Sequence, residues 1–376
     1  MGYYVENFDV DDYDMSDTQR DARQLYNRSI EYSGVFDFVD TIRNKPETPI
    51  KTGLQALDDI MNGGLYSGLY MLGGVTGVGK TTLLIQTARK IVEQNDGVDV
   101  LYFGLETSQK EFFGKMLSGY LFDCCGIGLS YNELIQMPRD ANTLAEIEKC
   151  ANDLGGKIKG HILVYPERQQ GYTTAEITEI AKLHHDNARR RFVIMVDYLQ
   201  RLQWYHDTTA PTRREQVDND IYSLSSIAKA YDAPCVVVSS LNRSSYARNS
   251  GRLQNTGFKE SGGIEYTCDL SLFLEEQRTK VGKSVVTRRD ETALWNGVQN
   301  TTTTFERVTV NKNRHGATGA ALLKYAKAYN TFDNDDTGTA EYNPYFDDYI
   351  TTSAKATAKK HEEPTCDNWN IINKEI

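Results

Sequence analysis

Residues Gly74–Thr81 read "GVTGVGKT", a G-x-x-x-x-G-K-T pattern set between the apolar run "GLYMLGG" and the helically periodic stretch "KTTLLIQTARKIVEQ". A glycine-rich turn that joins a strand to a helix makes a phosphate cradle. Glycines such as Gly77 and Gly79 let the backbone curl until successive N–H groups converge on an anion, and the helix N-terminus adds its positive end. The expected contacts are Gly74, Thr76, Gly77, Val78, Gly79, Lys80, Thr81 and Thr82. Lys80 would reach the β and γ phosphates, and the Thr81 hydroxyl would ligate Mg²⁺. The bland alternative is a chance glycine turn before a helix, and the flanking elements count against it.

The text around the cradle sets the fold class. From Thr52 onward short apolar runs alternate with helical stretches, among them "VDVLYFGL", "RFVIMVD" and "PCVVVSS". Near-continuous apolar strands between helices predict a mostly parallel sheet covered on both faces, an α/β doubly wound domain over about residues 50–330. In such sheets ligands bind beyond the C-terminal ends of the strands. Two carboxylates are expected there. Asp197 ends "FVIMV" and is placed to serve the Mg²⁺ beside Thr81, while Glu106 ends "VLYFGL" and is the expected base for an attacking water. The structural alternative for each is a helix cap or a solvated strand end.

Outside this domain the chain changes character. Residues 1–15 are acidic and expected to be disordered. Residues 16–45 are expected to form a linker helix, with Ala22, Leu25, Tyr26, Ile30, Val35, Phe36, Val39 and Ile42 at helical spacing. That helix packs either on its own core or on a neighbouring subunit. Residues 331–376 read as a flexible acidic tail. The formal net charge of −10 therefore misleads: residues 1–50 and 331–376 carry −6 each, which leaves the middle at +2 and compatible with a nucleic acid. The 6 cysteines include no C-x-x-C pair, so zinc is not expected. With an acidic start in place of a signal peptide, and no apolar run long enough to span a bilayer, a cytoplasmic protein without membrane association is expected.

Several segments together resemble a known family. "TGLQALDDIMNGGLYSGLYMLGGVTGVGKTTLLIQTA", "GLETS", "VDYLQ", "SSLNRS", "ESGGIEYTCDLSLFL" and "KNRHGATG" look like the C-terminal motor domain of DnaB-type replicative helicases, which has the RecA-like ATPase fold. The resemblance covers about residues 50–326. It implies a hexameric ring that hydrolyses ATP with Mg²⁺ between subunits and moves 5′ to 3′ along single-stranded DNA in replication. By motif, Lys80 and Thr81 bind nucleotide, Glu106 is the base and Asp197 serves the metal. Lys259, Glu260, Ser261 and Gly262 correspond to the loop that grips the DNA backbone. A lysine, a serine and free N–H groups suit phosphate oxygens without reading sequence; an ordinary surface turn is the alternative.

"VTVNKNRHGATG" follows the β-type run "ERVTV" and precedes glycines able to turn a hairpin, so Lys312 and Arg314 would project from one face of a strand tip. A solvated basic turn is the plain alternative. The cradle itself lacks a second cation for the γ-phosphate, and the resemblance to the helicase K-x-R-x-G motif implies that Lys312 and Arg314 supply it to the next subunit. Two departures from the family stand out. Ser240 in "VVVSSLNR" occupies the place of the family's coupling glutamine, and only some fifty residues precede the motor where a helical domain that engages primase is usual. Docking of a primase or loader is expected to use the helix from Ser16 or the acidic tails. The competing functions are a RadA-like recombination ATPase, or an ATP-gated assembly protein that loads or blocks a helicase without unwinding.

Overall fold

In the computed structural model the described residues are 16–31, 34–44, 48–136, 140–203, 212–241, 258, 263–281, 284–314 and 316–335. The chain divides into two compact units, residues 1–48 and 49–376. The expected single linker helix is two helices, α1 (Asp17–Glu31) and α2 (Gly34–Asn44). A glycine in the middle of a helical run weakens it, and Gly34 opens the second helix. In this unit Leu25, Tyr26, Val35, Phe36, Val39 and Ile42, the stripe read from the sequence, are exposed.

The second unit is built on one ten-stranded sheet. Strands β1 (Gly68–Gly74), β2 (Val98–Gly104), β3 (Ile162–Tyr165), β4 (Arg191–Asp197), β5 (Pro234–Ser240) and β6 (Leu270–Glu276) lie parallel in the order β3-β2-β4-β5-β1-β6. Beyond β6 the sheet turns antiparallel through β10 (Val298–Asn313), β11 (Gly319–Ala326) and β12 (Thr331–Asn334), with β9 (Arg289–Trp295) also on β10. A separate hairpin pairs β7 (Arg278–Val281) with β8 (Ser284–Thr287).

Every residue of β1 and of β2 is buried, because helices cover both faces. Alternate side chains of β1 go to opposite cores. Tyr70 and Leu72 join α3 (Gln55–Ile60), α4 (Lys80–Gln94), α5 (Gln109–Cys125) and α7 (Ala141–Ile158), whereas Leu69 and Met71 join α8 (Thr174–Ala188) and α9 (Arg213–Ala230). A short helix α6 (Tyr131–Gln136) follows α5, and α10 (Gly263–Thr267) precedes β6. Reciprocal capping boxes start α8, through Thr173 and Glu176, and α9, through Thr212 and Glu215.

The tail boundary expected at residue 330 needs correction. β12 pairs with β11, and Phe332 is buried with its ring stacked on Tyr325 at 3.9 Å between centroids. One aromatic ring in an acidic run carries enough apolar surface to hold this strand on the sheet. Residues 1–15 and 336–376, expected to be disordered, lie outside the described residues. Among the described residues no helix is long and apolar enough to cross a membrane.

Candidate nucleotide-binding site

β1 ends at Gly74, the chain turns through residues 75–79, and α4 starts at Lys80. The turn uses left-handed backbone at Gly77 (φ +84°) and at Gly79 (φ +103°), the N-cap of α4. At Gly79 space is also short, since a Cβ there would come within 2.8 Å of Phe332. Val78 is buried and so is Thr82, its hydroxyl facing that of Tyr325 at 3.4 Å. What these two residues offer a phosphate is therefore backbone N–H. Thr76 and Gly77 are exposed at the mouth of the loop.

Lys80 Nζ donates to the loop's own carbonyls, Gly74 O at 2.8 Å and Val75 O at 2.9 Å. Burial depresses the Lys80 ammonium below the usual lysine range, while nearby Asp197 pulls it back up. Asp197 closes β4 and is buried, and burial raises its carboxyl above the usual range. Hydrogen bonds from the Thr81 and Tyr102 hydroxyls and the charge of Lys80 oppose that rise. Tyr102 Oη donates to Asp197 Oδ2 at 3.1 Å. Lys80, Thr81 and Asp197 thus meet at the C-terminal edge of β1 and β4, although Thr81 and Asp197 are far apart in sequence.

Glu106 follows β2 and joins this edge from the other side. Its Oε1 accepts from Arg201 Nε at 2.8 Å, and the Tyr198 hydroxyl bonds to Glu106 and Arg201. Tyr198 caps and Arg201 ends a 3₁₀ turn, Leu199–Arg201, that leaves the end of β4. Gln200, in the same turn, donates from Nε2 to Ser239 Oγ at 2.9 Å and accepts the Ser240 N–H at 3.2 Å. The end of β5, where Ser240 lies, is therefore tied to a glutamine from the turn that follows the neighbouring strand. The sequence reading passed over Gln200 and Arg201, though both stand in "DYLQR"; the signal was polar residues directly after a strand-end acid. Lys327 was also missed. Its Nζ donates to Gly77 O at 3.1 Å from the 3₁₀ turn Lys327–Tyr329.

The structure does not bring Lys312 and Arg314 to this edge. Arg314 Nη1 pairs with Asp269 Oδ1 at 3.0 Å, its N–H donates to Asp269 O at 2.9 Å, and its Nη2 and Lys312 Nζ both donate to Tyr266 O. Both cations therefore meet at the Tyr266 carbonyl. Asp269 also accepts the N–H of Leu69, at the start of β1. Seven residues of strand, about 20 Å, separate that end from the loop. Lys259, Glu260, Ser261 and Gly262 lie outside the described residues.

A family model described as DnaB-like helicase C terminal domain matches residues 49–334, most of the chain. The chain belongs to this family. Among curated relatives, the replicative DNA helicase DnaB of Mycoplasma genitalium is 26% identical over 334 residues, covering 84% of this chain and 64% of that protein. The DnaB of Haemophilus influenzae is 27% identical over 305 residues, covering 80% of this chain and 58% of that protein. The chain thus spans less than two thirds of the length of these DnaB relatives. Among solved structures, a DnaB-like replicative helicase studied with its primase interactions matches with a TM-score of 0.64 at 18% identity, over 84% of this chain and 71% of that one. A separately solved ATPase domain matches with a TM-score of 0.62 at 20% identity, over 85% and 99%. These neighbours support the RecA-like architecture expected for a DnaB-type motor.

Proposed function

We propose that this DnaB-family chain is an ATP-driven DNA helicase motor that works as a hexameric ring, hydrolyses ATP at subunit interfaces and moves 5′ to 3′ on single-stranded DNA during replication. The observation that carries this reading is the convergence of Lys80, Thr81, Asp197 and Glu106 at one sheet edge. On ATP binding, Lys80 exchanges the carbonyls of Gly74 and Val75 for β and γ phosphate oxygens, and the N–H groups of residues 77–82 enclose the phosphates.

Thr81 and Asp197 present hard oxygen donors already hydrogen-bonded to each other, which fits Mg²⁺. When bound there, the ion would neutralise charge on the β and γ phosphates. Glu106 takes a proton from the attacking water as its oxygen bonds to the γ phosphorus and the bond to the β-γ bridging oxygen breaks, leaving ADP and phosphate. Arg314 and Lys312, at the opposite sheet edge, serve the nucleotide of the adjoining subunit. Lys259, Glu260, Ser261 and Gly262 grip the DNA backbone, Ser240 takes part in coupling hydrolysis to it, and a primase or loader docks on the helix from Ser16 or the acidic tails.

The test is ATP hydrolysis with and without single-stranded DNA, followed by strand displacement on forked duplexes. Stimulation by DNA together with unwinding of forks bearing a 5′ tail is expected, and Lys80→Ala should abolish both while the melting temperature stays close to that of the parent. Wild-type turnover in Lys80→Ala overturns the reading. Stimulated hydrolysis without unwinding would instead favour an ATP-gated assembly protein.

A further inference from the structure

The pairing of Glu106 with Arg201 runs against what a general base requires. A carboxylate that must accept a proton from water needs an oxygen free to face that water. Here Oε1 is engaged by the Arg201 guanidinium at 2.8 Å, and Tyr198 holds the same carboxylate. A guanidinium held on a carboxylate occupies an oxygen that would otherwise face the water. The pair has little to offer the fold either, since Arg201 is 51% and Glu106 44% exposed, and exposed ion pairs add little to stability.

The turn that carries Arg201 is fixed firmly. Leu199 is fully buried, Gln200 is bonded to Ser239 and Ser240 at the end of β5, and Arg213 from α9 donates to the Gln200 carbonyl. Arg201 therefore has a fixed base and a half-exposed side chain, held on a carboxylate whose charge reaches Asp197 of the phosphate site. A γ-phosphate brings more negative charge than a carboxylate and is a strong competitor for a guanidinium.

We propose that Arg201 is a positioning residue that restrains Glu106 in the nucleotide-free subunit and lets it go when an anionic γ-phosphate draws the guanidinium away. In a subunit that holds a triphosphate the guanidinium is shared between Glu106 and the γ-phosphate, and the base is free only in the second arrangement. This rests on Glu106 being the base of the hydrolysis proposed above. It assigns to this chain an internal control on basal turnover, exerted through the short 3₁₀ turn that follows the metal-side carboxylate.

The experiment compares DNA-free ATP hydrolysis by the full chain and its Arg201→Ala, Arg201→Gln and Arg201→Lys variants over a range of KCl concentrations. Loss of the guanidinium should raise kcat about two- to fivefold at low salt, the scale of an exposed ion pair. Arg201→Gln keeps a polar, uncharged and shorter side chain and should match Arg201→Ala, so the result does not depend on one variant folding. Arg201→Lys should stay near the parent rate. The ratio of variant to parent should approach one as salt screens the pair, a response that a purely structural role would not give. A kcat that is unchanged or lower in both uncharged variants, or a ratio insensitive to salt, overturns the restraint. If the parent hydrolyses ATP and Glu106→Gln abolishes this, such a result sinks the restraint alone. A parent rate indifferent to Glu106→Gln removes the base and the restraint together.

Discussion

The side-chain amide of Gln200 bridges the end of β5, accepting the Ser240 N–H at 3.2 Å and donating to Ser239 Oγ at 2.9 Å. Gln200 is one residue from Arg201, whose guanidinium donates to Glu106, so this turn links the β5 end to that carboxylate. Gln200→Ala should therefore lower the stimulation of ATP hydrolysis by single-stranded DNA severalfold, with a smaller change in the DNA-free rate. Each lost hydrogen bond is worth about 1 kcal/mol. Equal losses in the two rates would assign Gln200 to stability and not to coupling.

Glu106→Gln separates chemistry from binding. The amide keeps the shape of the carboxylate, and the phosphate contacts come from the loop and Lys80, so a fluorescent ATP analogue should bind as in the parent. Hydrolysis should fall by about 10² to 10⁴. Lost nucleotide affinity would show that Glu106 supports the loop and does not act on water.

Arg314 and Lys80 lie at opposite edges of one sheet, and this sets a test by mixing. Glu106→Gln and Arg314→Ala chains should each be nearly inactive, since a trans arginine is worth about 10³ to 10⁵ in rate. Mixed rings should recover activity wherever an intact Glu106 meets an intact Arg314 across an interface. Normal DNA-stimulated hydrolysis by Arg314→Ala alone would confine Arg314 to its pairing with Asp269.

Asp220 on α9 predicts how stability depends on pH. It is buried, neither carboxylate oxygen has a hydrogen-bond partner among the described residues, and burial pushes its carboxyl up to about 7 while Arg213 pulls it down. The folded chain keeps this proton up to about pH 7, whereas the unfolded chain gives it up near 3.8. The folded state holds the extra proton between those values, so this group's contribution to stability falls as pH rises through that window. Asp220→Asn should be more stable than the parent at pH 8 by about 1 to 3 kcal/mol, with little gain at pH 5. Urea melts at the two pH values measure this, and an equal effect at both would refute the assignment.

Much of the site was legible because its parts are local. The cradle of Gly74–Thr81 needs only neighbouring residues: a strand, two left-handed glycines and a helix start. Asp197 and Glu106 were readable because each follows an unbroken apolar run, and in a parallel sheet such runs all end on one edge. Phe332 was less legible, since an acidic neighbourhood hides a single ring whose stacking partner is elsewhere in the sheet. The sequence by itself determined where a glycine turn opens a helix and which carboxylates share its edge, because backbone curl and hydrophobic periodicity are local properties. Only the tertiary structure decided that Arg201 grips Glu106 and that the Gln200 amide accepts the Ser240 N–H. Those partners are 95 and 40 residues apart, and they meet because β2, β4 and β5 pair side by side, an order that local periodicity does not encode.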